Sequence, residues 1–486
     1  MFKKGILLTM SFVFSVSFSQ EMVSTIPFKV KSNSDIFEIV NDSTKETILF
    51  IKNQRKVNAF RLNEKMQPID TLSAENLDEK HFEIFGLHLE GSNPKLFWSD
   101  FYKNEIKTQL YDLKNHTVSN FAYSLDLKNE KFLQSFSENK KFYFITLVNN
   151  SNLLKLYVFN HDKLETINID FSSSLFFDVD GNQISLSAIF EHNFFRTPEP
   201  FVLFPVKKYD IEKISTQSPS PLLQCGKKIK CYSNENEINI TLDINLSNTQ
   251  LITINLKRYT SNIKNFKKSF GAISDDEKRN SNSFLFEKKL FQLTLSSSKM
   301  ILTITDIENG IIKQYNAFSY EPIGFKNSDI IRMNFNKKII EKTSHFLKKI
   351  NDRNCAVSCY RINGGTKVTI GSADEDSHAG SSGGMSPSGI PLAGGYSPLN
   401  ISSFTYIYDK YTSYANRAAF YIDCFFDKEM NPVKEKLNPL AFDKIKDFSK
   451  GYYELPNASI YKLDDAYYLG FYHTKKKEYQ LRKFKD

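Results

Sequence analysis

The chain has 486 residues, a formal net charge of +9, and is 41% hydrophobic and 14% aromatic. That length suits one large domain or two to three ordinary ones, and the apolar content excludes a disordered chain. The aromatics are 43 Phe and 24 Tyr beside a single Trp; together with abundant Ile, Thr and Val they favour strands over helices.

The first element is a leader. Lys3 and Lys4 precede an uncharged apolar or small run, Gly5 to Phe18, and the small residues Ser17 and Ser19 stand before polar Gln20 and Glu21. This pattern predicts a cleavable signal peptide over residues 1–19. The run is too short to span a bilayer, which takes about 20 residues, and no later stretch is long and apolar enough, so no transmembrane span is expected after signal removal. Without Lys3 and Lys4 the net charge is +7. Export places the chain in the periplasm, on the outer surface or outside the cell.

Short alternating runs separated by turn residues follow. Thr47–Lys52, Val57–Leu62 and Pro68–Leu72 form one triplet; Lys95–Phe101, Lys107–Leu113 and Thr117–Leu125 a second; Lys141–Val148, Leu153–Asn160 and Leu164–Phe171 a third. Leu49, Leu96 and Tyr143 stand at equal steps of 47 residues. Less regular groups are Gln183–Phe190 with Pro200–Tyr209, Ile238–Ile244 with Gln250–Tyr259, and Leu290–Ser296 with Met300–Ile307 and Ile311–Phe318. In the last, Asn309-Gly310 is a hairpin signal. A period of about 40–50 residues with three or four strands per unit predicts an all-β, β-propeller-like fold of about seven blades, the alternative being tandem β-sandwich domains. Residues 20–330 hold the repeated strand units.

Residues 331–486 read as the final blade or blades with helical insertions. Helical spacing of apolar residues predicts helices over Lys337–Arg353 and Asn438–Ser449, the second capped by Asn438. A Gly/Ser-rich loop spans 371–400, between strand-like Thr366–Ile370 and Ser403–Tyr408, and reads as flexible. Ala458–Tyr461, Tyr467–His473 and Glu478–Phe484 end the chain as strands; a C-terminal strand completing the first blade is one way to close the ring.

Few residues announce chemistry. Five cysteines are present. An oxidising compartment makes Cys225 with Cys231, and Cys355 with Cys359, candidate disulfides, leaving Cys424 alone. Their spacing does not fit zinc hooks. Gly380-Ser381-Ser382-Gly383-Gly384 fits the G-x-S-x-G form, but no helix follows it to make a nucleophile elbow. Asp374, Glu375, Asp376 and His378 read as a solvated acidic loop. Asp178, Asp180 and Asn182 read as an Asp-Gly turn rather than a calcium loop, because the bidentate Glu is missing. No His-Glu-x-x-His, phosphate loop or dinucleotide fingerprint occurs, so no metal or cofactor is expected and no catalytic residue is assigned. The basic clusters Lys227, Lys228, Lys230 and Lys475, Lys476, Lys477 read as solvated edges. Export argues against nucleic acid as a partner.

With this leader (Met1 to Gln20) and its Lys-, Asn-, Ile- and Phe-rich composition, the chain resembles uncharacterised exported β-propeller-like envelope proteins of Gram-negative bacteria. The resemblance implies location and carries over no site residue. The function expected is non-enzymatic: a binding or scaffold protein of the envelope with a protein or glycan partner, presenting loops and aromatic anchors. The alternative is a hydrolase of glycans or peptides working in the propeller funnel, for which Trp98 would be the sole Trp platform.

Overall fold

Alternating runs whose apolar faces must be covered leave little choice but to stack sheet on sheet. The computed structural model describes residues 21–31, 34–81, 83–100, 103, 105–191, 211–271, 277–333, 336–362, 364–373, 406–415, 418–452 and 455–486. The signal segment, Pro200–Tyr209, Asp374 to His378, Ser382 and most of the 371–400 loop lie outside the described residues.

Strand β1 (Glu21–Ile26) opens the described chain. The first sheet is β2 (Asp35–Asn41), β3 (Glu46–Lys52), β4 (Lys56–Leu62) and β5 (Pro68–Glu75). The second is β6 (Glu83–Glu90), β7 (Asn93–Ser99), β8 (Ile106–Asp112) and β9 (Thr117–Tyr123). The third is β10 (Glu130–Glu138), β11 (Lys141–Val148), β12 (Leu153–Asn160) and β13 (Lys163–Asp170). A two-stranded hairpin, β14 (Phe176–Phe177) with β15 (Gln183–Ile184), and helix α1 (Leu186–Glu191) come next.

The fourth sheet contains β16 (Ile211–Ile214), then, after helix α2 (Leu222–Cys225), β17 (Ile229–Ser233), β18 (Glu237–Leu242), β19 (Asn248–Asn255) and β20 (Ser261–Lys267); β16 runs parallel to β17. The fifth is β21 (Asn280–Phe286), β22 (Lys289–Leu295), β23 (Lys299–Asp306) and β24 (Gly310–Phe318), where Gly310 adopts φ +102° at the expected hairpin. The sixth begins at its outer edge with β25 (Ile330–Met333) and β26 (Lys337–Ile340). Helix α3 (Thr343–Asn351) then leads to β27 (Cys355–Ile362) and β28 (Gly365–Ala373), and helix α4 (Tyr406–Ala415) precedes β29 (Ala419–Phe426). Helix α5 (Ala441–Ser449) leads to the seventh sheet, β30 (Ser459–Leu463), β31 (Ala466–His473) and β32 (Glu478–Lys485), to which β1 adds as the fourth strand, antiparallel to β32.

Separate apolar layers join successive sheets. Phe37 and Phe50 of the first meet Leu96 and Trp98 of the second. Phe85 and Phe97 of the second meet Phe142 and Phe159 of the third, with Phe97 stacked on Phe142 at 3.9 Å. Leu154 and Val158 meet Ile240 and Ile252 of the fourth. One large core joins the fourth, fifth and sixth through Leu251, Phe291, Leu302 and Val357. The seventh meets the sixth through the Tyr360 and Tyr467 hydroxyls, 3.0 Å apart, while α4 and α5 cover its face. Tyr461, Tyr468 and Tyr479 of the seventh pack on Ile36, Leu49 and Phe60 of the first. Among the described residues, seven sheets of four or five strands in chain order, the last packed on the first, make an all-β, propeller-like fold.

Several expectations need correction. The ring closes the other way round: the N-terminal strand β1 completes the last sheet. Within Lys337–Arg353 only Thr343–Asn351 is helical, because Lys337–Ile340 pairs with β25. The α5 N-cap is Leu440, whose N–H donates to the Asp443 carboxylate at 3.0 Å, and not Asn438. Gln183–Phe190 is a two-residue strand and then helix, and Tyr406 to Tyr408 are helical, not extended.

The disulfides are not formed; all five cysteines are free and buried. Cys355 and Cys359 lie on one strand, four residues and so about 13 Å apart, while a disulfide needs Cα atoms within about 4.4–6.8 Å. Cys225 and Cys231 belong to the apolar layers on opposite sides of the fourth sheet. Burial pushes both these thiols up to about 12. No helix among the described residues is long and apolar enough to cross a membrane.

Candidate functional site

After β16 the chain reads Ser215-Thr216-Gln217-Ser218-Pro219-Ser220-Pro221. Two prolines in four residues lack the N–H groups a ladder needs, so the segment leaves the fourth sheet. Its carbonyls are taken by side chains from the far side of the ring. Gln217 O accepts from Lys462 Nζ of β30 at 2.9 Å and Tyr467 OH of β31 at 3.1 Å. Ser220 O accepts from Ser358 Oγ of β27 at 2.7 Å. Ser215 O accepts from Lys410 Nζ of α4 at 2.8 Å. The segment therefore crosses from the fourth sheet to the sixth and seventh, with Ser218 to Pro221 buried. At its root, Lys213 Nζ donates to Ser135 O at 2.8 Å, and Gln134 Nε2 to Ile211 O at 3.2 Å, tying β16 to the third sheet.

Lysines gather around this crossing. Burial pushes Lys410 down to about 7, although Cys225 and Glu212 act the other way, and nearby Lys213 adds to the fall. Burial also pushes Lys213 down to about 8. Lys462 is lowered by burial, against the pull of Asp486 and Asp465. The Asp486 carboxylate accepts from Tyr360 OH at 2.6 Å and from the Ala441 N–H at 2.7 Å.

A small pocket lies beside the crossing, lined by Ser220, Ser358, Tyr360, Lys367, Thr369 and Tyr414 among others. Lys367 pairs with Asp423 at 3.3 Å, Thr369 Oγ1 donates to Asp423 at 2.6 Å, and Tyr414 OH to Asp443 at 2.8 Å. Lys410 Nζ stands 3.3 Å from Ser220 Oγ, the contact a Ser–Lys nucleophile would use. However, the Ser220 hydroxyl donates to Ser215 O at 3.1 Å. The cavity volume is about 20 Å³, room for water, whereas ligand sites run to roughly 300–1,000 Å³. The pair fastens the crossing.

A second polar cluster pins the fourth sheet to the fifth. The fully buried Asp243 accepts from Lys230 Nζ at 3.1 Å, Ser283 Oγ at 2.6 Å, the Ser283 N–H at 3.0 Å and Thr249 Oγ1 at 2.8 Å, with Lys268 Nζ at 3.5 Å. Lys230 also donates to Asn282 Oδ1 of β21 at 2.7 Å. Burial would raise the Asp243 carboxyl, but Lys230 and Lys268 outweigh it and hold it below the usual carboxylate range.

The residues singled out in the sequence fare differently. Lys230 is buried in this ion cluster, so its basic run is not a solvated edge, whereas Lys475, Lys476 and Lys477 are exposed at the β31–β32 hairpin. Asp178 accepts from the Asp180 and Asn182 N–H groups at 3.0 and 2.8 Å, the Asx turn expected of Asp-Gly, with Gly181 at φ +92°. Cys225 sits behind the crossing, 3.7 Å from Ser220 O, while Cys231, Cys355 and Cys359 are core residues. Trp98 is fully buried and is no sugar platform. Missed in the sequence were Lys410, Lys462 and the crossing; the Ser-Pro-Ser-Pro run was its one signal.

No family model matches the chain, and no curated protein matches it. Among solved structures, a chimera of ACO and RPE65 aligns at 7% identity and TM-score 0.28 over 56% of this chain and 58% of that one. Cobalt-substituted Synechocystis ACO, an apocarotenoid oxygenase, gives the same figures of 7%, 0.28, 56% and 58%. A protein from Lactobacillus plantarum aligns at 7% identity and TM-score 0.26 over 70% of this chain and 80% of that one. The match thus spans under two thirds of the length of the oxygenase structures. Likeness this low transfers neither activity nor ligand.

Proposed function

We propose that the chain is an exported binding or scaffold protein of the cell envelope, presenting the loops of a closed ring to a protein or glycan partner. The leader pattern over residues 1–19 supports export. The observation that supports binding over catalysis is the crossing Ser215–Pro221, which ties the fourth sheet to the sixth and seventh and leaves beside it a cavity of about 20 Å³. On the first strands of the second and third sheets, two carboxylates have partners: Glu83 pairs with Lys103 at 2.8 Å, and Glu130 accepts from Thr146 Oγ1 at 2.6 Å and from Tyr157 OH at 2.9 Å. Paired carboxylates for glycoside hydrolysis need a free acid and a free base flanking the scissile bond.

The test is affinity capture from envelope extract with the full mature chain, followed by titration of each captured component against purified protein. A saturable partner whose covalent structure is unchanged after incubation is the expected result. Turnover of a glycan or peptide, with no saturable partner, would overturn the reading.

A further inference from the structure

The seam where the ring closes contains a buried carboxyl. On β2, Phe37 and Ile39 pack toward the second sheet, while Ile36 and Val40 pack toward the seventh. Glu38 lies between the latter two and shares their face. It is 8% exposed, and its Oε2 has no hydrogen-bond partner among the described residues. Ser459 of β30, whose hydroxyl pairs with Tyr479 OH of β32 at 3.1 Å, is the polar group that acts on the carboxyl, and Tyr461 of β30 and Tyr479 face it. Tyr468 of β31 lies beside Tyr461, and Tyr408 of α4 acts on Tyr479. A charged pair across the seam, Lys45 with Asp464, lies at the surface. Behind β2, the ionisable groups of β6 have their own partners: Glu83 with Lys103, His88 with Ser137, and Glu90 with Lys95 and His161.

Few other polar ties cross here. Asn457 Nδ2 donates to Ser34 O at 2.7 Å, and Tyr461 OH to Met66 Sδ at 3.1 Å. Because β1 belongs to the seventh sheet, the first sheet can part from the seventh without breaking the β1–β32 ladder.

We propose that Glu38 is a pH-sensitive latch on the ring: neutral, it lets the first and seventh sheets close, and ionised, it loosens that seam. Burial holds its carboxyl well above the usual range, and Ser459 offsets this only in part. A carboxylate there would face tyrosine hydroxyls and apolar rings with one oxygen unmatched. The folded value exceeds the unfolded one, so this stability is complete below the unfolded value and is lost as pH rises through the folded value.

Amide hydrogen exchange on the full chain, corrected for intrinsic rates and taken from about pH 5 to about pH 9, reads the latch. Protection in β2 and β30 should fall about tenfold or more with rising pH, while β21–β24 hold theirs, and Glu38→Gln should keep the seam protected throughout. A seam that responds like β21–β24, or a Glu38→Gln variant with the wild-type pH response, would overturn the proposal. Should that variant not fold, carboxyl ¹³C titration of the wild-type chain decides. The assigned Glu38 carboxyl titrating well above the ordinary range, in step with loss of seam protection, supports the latch; Glu38 titrating in the ordinary range, or out of step with the seam, contradicts it, whatever Glu138, which burial also raises, does.

Discussion

Asp243→Ala should cost about 3–5 kcal/mol of stability, read as a lower urea midpoint of the full chain. The large value comes from what remains. Lys230 and Lys268 are fully buried beside Asp243, and without it two ammonium groups face each other in a dry core. Burial already pushes Lys268 down to about 8 with Asp243 present. The pH dependence follows from the signs. Asp243 is held below its unfolded value, so its contribution is present above about 3.8 and disappears as pH falls through the folded value. Lys268 is depressed, so between about 8 and about 10.5 the unfolded chain holds more protons and stability from this group rises with pH. Without Asp243 the Lys268 ammonium is depressed further, so the variant's loss should shrink as pH rises toward about 8, where wild-type Lys268 also gives up its proton. A loss under about 1 kcal/mol, within the range of surface substitutions, would mean that the cluster does not pin the fourth sheet to the fifth.

Gly371→Ala should be nearly as damaging, at about 3 kcal/mol or more. A Cβ at Gly371 of β28 would come 2.0 Å from Phe420 O and 2.8 Å from Tyr421 Cβ on the paired strand β29. Backbone cannot swing aside as a side-chain tip does, so the β28–β29 ladder must part locally. Gly324→Ala is the matched control, since a Cβ there meets nothing within 4 Å, and it should leave the urea midpoint within about 0.5 kcal/mol of wild type. Equal effects at the two glycines would refute the close approach.

The repeat was legible in part, for a physical reason. Leu49, Leu96 and Tyr143 fall on β3, β7 and β11, the second strand of each of the first three sheets, and the triplets are strands two to four. These strands alternate or run apolar because one or both faces are packed against a neighbouring sheet. The innermost strands escaped. Glu83–Glu90 and Glu130–Glu138 mix apolar residues with Glu, His, Gln and Ser, and each carries a register shift, at Ile84/Gly86 and Phe132/Gln134, that breaks period-two reading.

Buried lysines were also misread, because a lysine run looks solvated until the fold supplies Asp243 or a row of carbonyls. The cysteines misled because spacing in the chain says nothing about pleat: Cys225 and Cys231 are close in sequence and lie on opposite sides of a sheet. The α3 segment shows the same limit, since Ile339 and Ile340 fit a helical face but pair with Ile331 and Ile330 of β25.

At the candidate site, Ser218-Pro219-Ser220-Pro221 was readable as a segment unable to join a ladder. That it crosses the ring was not, because its partners Lys462 and Tyr467 lie about 250 residues further on.

The crossing is also the most direct thing to measure. With Gln217→Cys and Lys462→Cys in one chain, a short bismaleimide should link the two positions within the monomer, far faster than it links Gln217→Cys to Phe121→Cys on the outer strand of the second sheet. Linkage of Gln217→Cys no faster to Lys462→Cys than to Phe121→Cys would contradict a segment laid across the ring and, with it, the preference for binding over catalysis.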